Sequence, residues 1–382
     1  MSDAIPNVNA LSVQERALLA LTLVPGLGPR LLATLLERFG SAERVLAAPL
    51  EQLRQVPYFS SEVAAQFAAV AQSRNVDTEC TLMAQFGVRL LTRGSADYPA
   101  LLAEIASPPP LLYCRGAVTE RDRRAVAIVG ARNCTHYGRR VTEQLAGGLA
   151  RAGWTVVSGL ARGIDGVAHR AALAAGGRTL AVLAGGLSKI YPPEHAELAK
   201  EVAGAGALLC EVNMRMEPMA GMFPARNRII SGLSRAVVIV EAAEKSGALI
   251  TADHAAEQGR TVLAVPGPVD SAASGGTNAL IRNGAILIRG VDDILEELSG
   301  LGGMFHAADR QAEAAAPPVP AALPPDLDDQ QLKLWHFLDE PRHIDDIALR
   351  LDLEVAPLST LLMQLELKRV VRRLPGNRYQ RG

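Results

Sequence analysis

Two hydrophobic rhythms divide the chain. From residue 11 to about 75, leucines recur at helical spacing: Leu18, Leu19, Leu21 and Leu23, then Leu31, Leu32, Leu35 and Leu36. Apolar residues three and four apart share one helix face, so this stretch reads as short amphipathic helices. From about 85 the rhythm changes. Short apolar runs alternate with alanine-rich helical stretches: Val88–Leu91, Leu111–Cys114, Ala125–Val129, Thr155–Ser158, Thr179–Leu183, Ala207–Cys210, Ala236–Val240, Thr261–Val265 and Ala285–Ile288. Runs without polar alternation mark strands buried on both faces. Repeated alternation of such strands with helices predicts an α/β fold with a doubly wound, mostly parallel sheet.

The pattern changes again after about 300. Alanine and proline dominate the next stretch, and Asp309, Glu313, Asp326 and Asp328 make it acidic. That composition reads as a flexible linker. Leu332, Leu334, Trp335 and Leu338 then predict a helix, Ile344–Leu351 a second and Val355–Leu367 a third. Val370–Leu374, the turn Pro375-Gly376-Asn377 and Arg378–Gln380 predict a hairpin, completing a winged helix. The expected domains are a helical domain over 1–80, the α/β domain over 81–300, the linker over 301–328 and the winged helix over 329–382.

Composition narrows the chemistry. Lys+Arg number 39 and Asp+Glu 40, a net charge of −1, so there is no uniformly basic coat and any anion site is a local cluster. Aromatic residues are only 4%, which disfavours base-stacking sheets of the RRM or OB type. Cys80, Cys114, Cys134 and Cys210 have no C-x-x-C spacing and read as reduced residues of a cytosolic protein. The opening segment lacks a basic and then apolar signal pattern, and no apolar run approaches the roughly 18 residues of a membrane helix. The expectation is a cytoplasmic protein with no membrane partner.

Ligands bind parallel sheets outside the carboxyl ends of the strands. Each expected core strand runs into small residues there: Gly130-Ala131-Arg132, Ser158-Gly159-Leu160-Ala161-Arg162-Gly163, Ala184-Gly185-Gly186 with Lys189, Glu241 with Ser246-Gly247, and Pro266-Gly267 with Gly275-Gly276. Bare amides at helix starts, with Arg132, Arg162, Lys189, Arg226 and Arg228 beside them, point to a long anionic ligand. There is no G-x-x-x-x-G-K-[ST] loop and no G-x-G-x-x-G after a strand, which argues against ATP hydrolysis and classical dinucleotide binding. Phe223 beside Arg226 and Arg228 suits a base on a ring with paired phosphates; on a helix start both arginines face the cleft. Asp165 with His169, four apart, reads as a cap and a packed histidine, and a catalytic or metal pair is the alternative. Glu241 with Ser246 carries the same two readings. The turn Pro25-Gly26-Leu27-Gly28-Pro29-Arg30 either aims amides at a phosphate, as in helix–hairpin–helix modules, or simply joins two helices. Residues 121–140 hold six arginines against one acid, and 367–382 are basic with no acid, yet Val355–Leu367 has no Lys or Arg. A recognition helix without them is not expected to read a major groove.

Val129-Gly130-Ala131-Arg132, Ser158 to Asp165 with Ala168-His169, and Phe223-Pro224-Ala225-Arg226-Asn227-Arg228-Ile229-Ile230-Ser231-Gly232 resemble signatures of the DNA-processing protein A (DprA/Smf) family. So do Glu241-Ala242 with Ser246-Gly247-Ala248, Ala264-Val265-Pro266-Gly267, and Gly275-Gly276-Thr277-Asn278. The match runs in order over about 120–290. The N-terminal unit, of SAM or helix–hairpin–helix type, and the winged helix fit the family's long form. The resemblance implies an extended Rossmann fold that binds single-stranded DNA without sequence preference. It also implies a homodimer that protects incoming strands and loads RecA recombinase in natural transformation, with single-strand binding protein as a further partner. No catalytic residue, metal or cofactor is expected. Carried over, the DNA pocket falls on Ser158, Gly159, Arg162, Gly163, Phe223, Arg226, Asn227 and Gly247. Arg132 joins them from the strand-edge argument. Where the family has a basic residue shortly before the Phe, this chain has Met219-Ala220-Gly221-Met222, with Lys189 or Arg215 as substitute. The alternative is a Rossmann nucleotide-binding or phosphoribohydrolase-like enzyme using Glu241 or Asp165 as acid or base, against which stands the absence of a P-G-G-x-G-T-x-x-E run. A third reading makes the winged helix a transcription regulator.

Overall fold

The computed structural model describes residues 11–71, 75–302 and 327–381, apart from 339, 341, 352, 354, 369 and 375–377. Contacts divide the chain into two units, 1–305 and 306–382.

The first unit opens with α1 (Val13–Thr22), α2 (Pro29–Phe39), α3 (Ala42–Ala47), α4 (Leu50–Leu53), α5 (Ser61–Ala71) and α6 (Asn75–Phe86). Their starts follow from sequence. Ser12 and Glu15 form a reciprocal capping box on α1, and Pro29 opens α2 at a position whose N–H has no helical partner. The expected boundary at 80 falls inside α6. Leu19, Leu32 and Leu35 share one core with Tyr113, Leu198, Val202 and Met214 of the α/β part. A set of short helices has too little apolar surface for a core of its own, so it takes one wall from its neighbour. Glu79 on α6 ties the two together by accepting the amide of Met214 at 2.6 Å. Burial raises the Glu79 carboxyl above its ordinary value.

The sheet has nine strands: β1 (Val88–Thr92), β2 (Leu111–Gly116), β3 (Ala125–Val129), β4 (Thr155–Ser158), β5 (Thr179–Val182), β6 (Ala207–Cys210), β7 (Ala236–Ile239), β8 (Thr261–Ala264) and β9 (Ile286–Leu287). Their order is β1-β2-β6-β5-β4-β3-β7-β8-β9. From β6 to β9 every neighbouring pair is parallel. β1 and β2 extend the edge antiparallel. The winding reverses between β3 and β7, which pair from Val126↔Ala236 to Val129↔Ile239. An open crevice forms outside the carboxyl ends of strands at such a reversal.

Helices cover both faces. They are α7 (Ala100–Ala103), α8 (His136–Arg151), α9 (Ile164–Ala174), α10 (Ala196–Ala205), α11 (Met222–Gly232), α12 (Gly247–Glu257), α13 (Gly275–Arg282) and α14 (Val291–Gly302). Strand residues alternate between the layers. Val126, Ile128, Val156 and Val238 meet residues of α8, α9 and α14. Ala127, Val129, Val157 and Val237 meet residues of α7, α11 and α12. α14 continues to Gly302, so the expected linker start at 301 lies in its last turn. Residues 303–326 of that linker lie outside the described residues.

The second unit holds α15 (Asp329–Phe337), β10 (Arg342–His343), α16 (Ile344–Leu351), α17 (Val355–Leu367), β11 (Val371–Leu374) and β12 (Arg378–Arg381). Its sheet order is β10-β12-β11. Leu334, Trp335, Ile347, Leu358, Leu362 and Tyr379 form its core. The turn expected at 375–377 is outside the described residues. Two cations of the basic tail are turned inward: Arg381 lies over the Trp335 ring at 5.2 Å, and Lys368 donates to Gln331 at 2.9 Å.

Candidate functional site

The loops after β3, β4, β5 and β7 converge on the crevice. Gly163 has φ 70, and a Cβ there would overlap the carbonyl oxygens of Ala131 and Arg132. Only glycine allows both that backbone angle and that approach. The Ile164 amide completes the join by donating to Ala131 O at 3.2 Å. The loop carrying Arg162 is thereby fixed against the loop carrying Arg132. Asp165 holds the same loop from below, accepting the amides of Gly159 at 3.1 Å and Ala161 at 3.4 Å.

Arg226, in the second turn of α11, lies at the floor of the crevice and is 7% exposed. Its Nη1 donates to Gly159 O at 2.8 Å and to Val182 O. A Cβ on Gly159 would overlap the guanidinium, so that glycine forms its seat. Burial lowers Arg226 to about 10, which leaves it a cation at neutral pH, and Asp165 is the opposing charge. Burial pushes the Asp165 carboxyl upward, opposed by Arg226 and the two amides.

Arg132, Gly159, Arg162, Lys189, Phe223 and Arg226 line one pocket. The Arg132 guanidinium stacks over the Phe223 ring at 4.7 Å, and Tyr191 meets that ring edge-on at 6.3 Å. Arg162 pairs with Glu194, and Lys189 with Glu217 at 2.7 Å. These exposed cations hold both carboxyls below their ordinary values. With the cations so occupied, the void between the side chains is only about 20 Å³, room for about one water. A second opening of about 240 Å³ is lined by Arg132, Phe223, Arg226, Asn227 and Gly247. Asn227 fastens its rim by donating to Gly247 O at 3.2 Å.

Three expected site residues are placed differently. Ser158 is fully buried, and its hydroxyl donates to Ile128 O at 2.6 Å, inside the sheet. Gly163 shapes the loop without lining the pocket. Arg228 does not face the cleft: it pairs with both Glu211 oxygens at 2.5 and 2.6 Å and with Ser107 O at 2.7 Å. On a helix, residues two apart point to opposite sides, so placing Arg226 in the cleft turns Arg228 away. Of the two substitutes for the missing basic residue, Lys189 lines the pocket and Arg215 does not. The sequence reading also missed Tyr191, Glu194 and Glu217. Tyr191 had a signal, being an aromatic two residues after Lys189 at the same strand edge. Glu217 had none.

The candidate acid–base pairs are tied into the scaffold. Glu241 accepts the Thr135 amide at 2.9 Å and its hydroxyl, at the start of α8. Ser246 accepts the Ala248 amide at the start of α12. The two groups serve different helices. His169 lies 2.7 Å from the Thr179 hydroxyl, and burial lowers it to about 3. Among the described residues no group of three His, Cys, Asp or Glu could hold a metal ion, and no helix is long and apolar enough to cross a membrane.

This architecture defines a Rossmann-type protein, extended at one edge, with a cationic and aromatic crevice at its topological switch point. Comparison with known proteins carries the assignment further. Residues 89–299 match the family model of DNA recombination-mediator protein A, and 316–377 that of the DprA winged helix domain. Protein Smf of Synechocystis is 37% identical over 95% of this chain and 98% of its own length. DNA processing protein DprA of Bacillus subtilis is 46% identical over 56% of this chain and 72% of its own. The solved structure of DNA processing protein A from Streptococcus pneumoniae superposes with a TM-score of 0.65 at 32% identity, covering 75% of this chain and 98% of that one. That of the Helicobacter pylori protein, described for its single-stranded DNA binding mode, gives 0.51 at 32% identity, covering 56% and 97%. The chain belongs to the DNA recombination-mediator protein A (DprA/Smf) family.

Proposed function

We propose that this chain is a cytoplasmic, non-catalytic single-stranded DNA-binding mediator that protects incoming strands and loads RecA recombinase in natural transformation. It would act as a homodimer, with single-strand binding protein as a further partner. The observation that carries the DNA reading is the Arg132–Phe223 stack beside the buried Arg226. A base takes the place of the Arg132 guanidinium on the Phe223 ring, and the freed cation pairs with a phosphate. Arg162 and Lys189 exchange Glu194 and Glu217 for further phosphates. Ring faces and backbone charge do not read base edges, so every sequence is accepted. The relative from Helicobacter pylori is described as binding single strands. The enzyme alternative lacks support in the site, because Glu241 and Ser246 are tied to helix starts.

The test is fluorescence anisotropy of labelled oligo-dT at two salt concentrations, with duplex as control. Wild type is expected to prefer the single strand and to weaken with salt as counterions are released. Arg162→Ala should weaken binding to all sequences alike and reduce the salt slope by about 0.7, the share of one phosphate on a single strand. Equal binding by the mutant, or loss on one sequence only, would remove the strand from this crevice. The double variant Glu194→Gln, Glu217→Gln is expected to bind about two- to fivefold more tightly, since exposed ion pairs are weak competitors. Unchanged affinity would show that those carboxylates do not oppose binding.

A further inference from the structure

A larger cavity adjoins the Phe223 pocket. Its volume is about 470 Å³, and it lies between residues 22–29 and the start of α11. Pro25 and Leu27 line it from the N-terminal turn. Met222, Ala225 and Ile229 line it from α11, and Glu211 and Asn213 supply polar edges. Leu183, Ala184 and Arg226 line both this cavity and the Phe223 pocket, so the two adjoin at the end of β5.

The walls and one orphaned atom point to a ligand. A space of this size with aliphatic walls and a few polar groups has the character of a small-molecule site. Flat aliphatic walls accept a heterocyclic ring, and Asn213 can meet its edge. Glu211 is already engaged by Arg228. Arg226 stands at the divide, 7% exposed, and its Nε has no hydrogen-bond partner. Buried polar nitrogens are seldom left so unless a ligand completes them. No side chain caps α2 at Gly28, in contrast to α1 and α8, so its first-turn amides remain open to an anion.

We infer that this cavity receives an unstacked base of the strand held in the Phe223 pocket, with a neighbouring phosphate at the start of α2. The inference rests on the single-stranded DNA reading above. It gives the N-terminal helices a share in the strand's path: the Pro25–Pro29 turn closes one side of a base site that α11 alone leaves open. Continuity decides the occupant, because the two cavities share Arg226 and a strand leaving Phe223 along this edge meets the larger space next.

Ala225 supplies the test. It is exposed on α11 and lines the large cavity but neither opening around Phe223. Ala225→Leu fills the cavity while leaving Arg226 and Phe223 in place. A length series of oligo-dT is titrated against both proteins, and a single 2-aminopurine is stepped along the strand. In wild type one position is expected to brighten as its base leaves the stack. Adding the nucleotide that reaches the cavity should raise affinity roughly tenfold, the scale of one bound base. Ala225→Leu should lose both effects and bind shorter strands as wild type does. Retention of the bright position and of the affinity step by Ala225→Leu would overturn the inference. So would an equal loss on short and long strands, which would place the effect in the Phe223 pocket. Failure of wild type to bind single strands at all would overturn the DNA reading itself.

Discussion

Arg226→Met is expected to lower stability by about 3–5 kcal/mol, the range for removing one partner of a buried charge pair. The arginine is buried between two loops, and its guanidinium bonds the carbonyls of Gly159 and Val182. Methionine matches much of its apolar volume and none of its donors. Asp165 would remain buried with its compensating charge gone and only two backbone amides to hold it. The loss therefore comes largely from the group left behind, and removing that charge should restore part of it. Asp165→Asn combined with Arg226→Met is expected to be more stable than the sum of the single changes predicts. Urea unfolding of the four proteins measures this. A loss below about 1 kcal/mol, or strict additivity, would show that the pair does not hold the crevice floor.

Phe223→Ala is the second large effect, this time on binding. If a base stacks on this ring, its removal should weaken oligo-dT binding by about ten- to a hundredfold. Stability should change little, because the ring is only half-buried and its stack with Arg132 is worth about 1 kcal/mol at such a site. Phe223→Tyr keeps the face and should bind within a few-fold of wild type. Anisotropy titrations beside a thermal melt separate the two effects. Wild-type affinity in Phe223→Ala, or an equally weak Phe223→Tyr, would show that the ring face carries no base.

Much of the molecule was legible before any coordinates. Each continuous apolar run became a strand, with ends shifted by about a residue: Thr179–Leu183 ends at Val182, and Ala236–Val240 at Ile239. A strand buried on both faces announces itself by composition, whatever its neighbours. The glycines were legible for a similar reason. Gly159 and Gly163 are needed because no Cβ fits, and that need is local enough to appear as a motif. Arg132, Arg162, Lys189 and Arg226 were placed at one edge on the rule that loops after parallel strands converge, and they do line one pocket.

The remainder depended on phase and distance. Arg226 and Arg228 look equivalent in sequence. The rotation of α11 sends the first to the floor of the crevice and the second to Glu211. Ser158 sits within the motif, yet strand alternation points its hydroxyl into the sheet. Tyr191, Glu194 and Glu217 reach the pocket from connections whose course follows the sheet order, which apolar runs do not encode. The helical stretch to residue 80 seemed separable because its period differs, but its leucines share a core with Tyr113 and Met214.

The amino-acid order by itself determined the elements, the glycine positions at the strand ends and the family, because each depends on residues near one another in the chain. The tertiary structure decided which side chains share the crevice, which cations are held by carboxylates, and that the N-terminal turn walls a cavity beside it. Those depend on strand order, helix rotation and burial, which arise only when distant segments pack together.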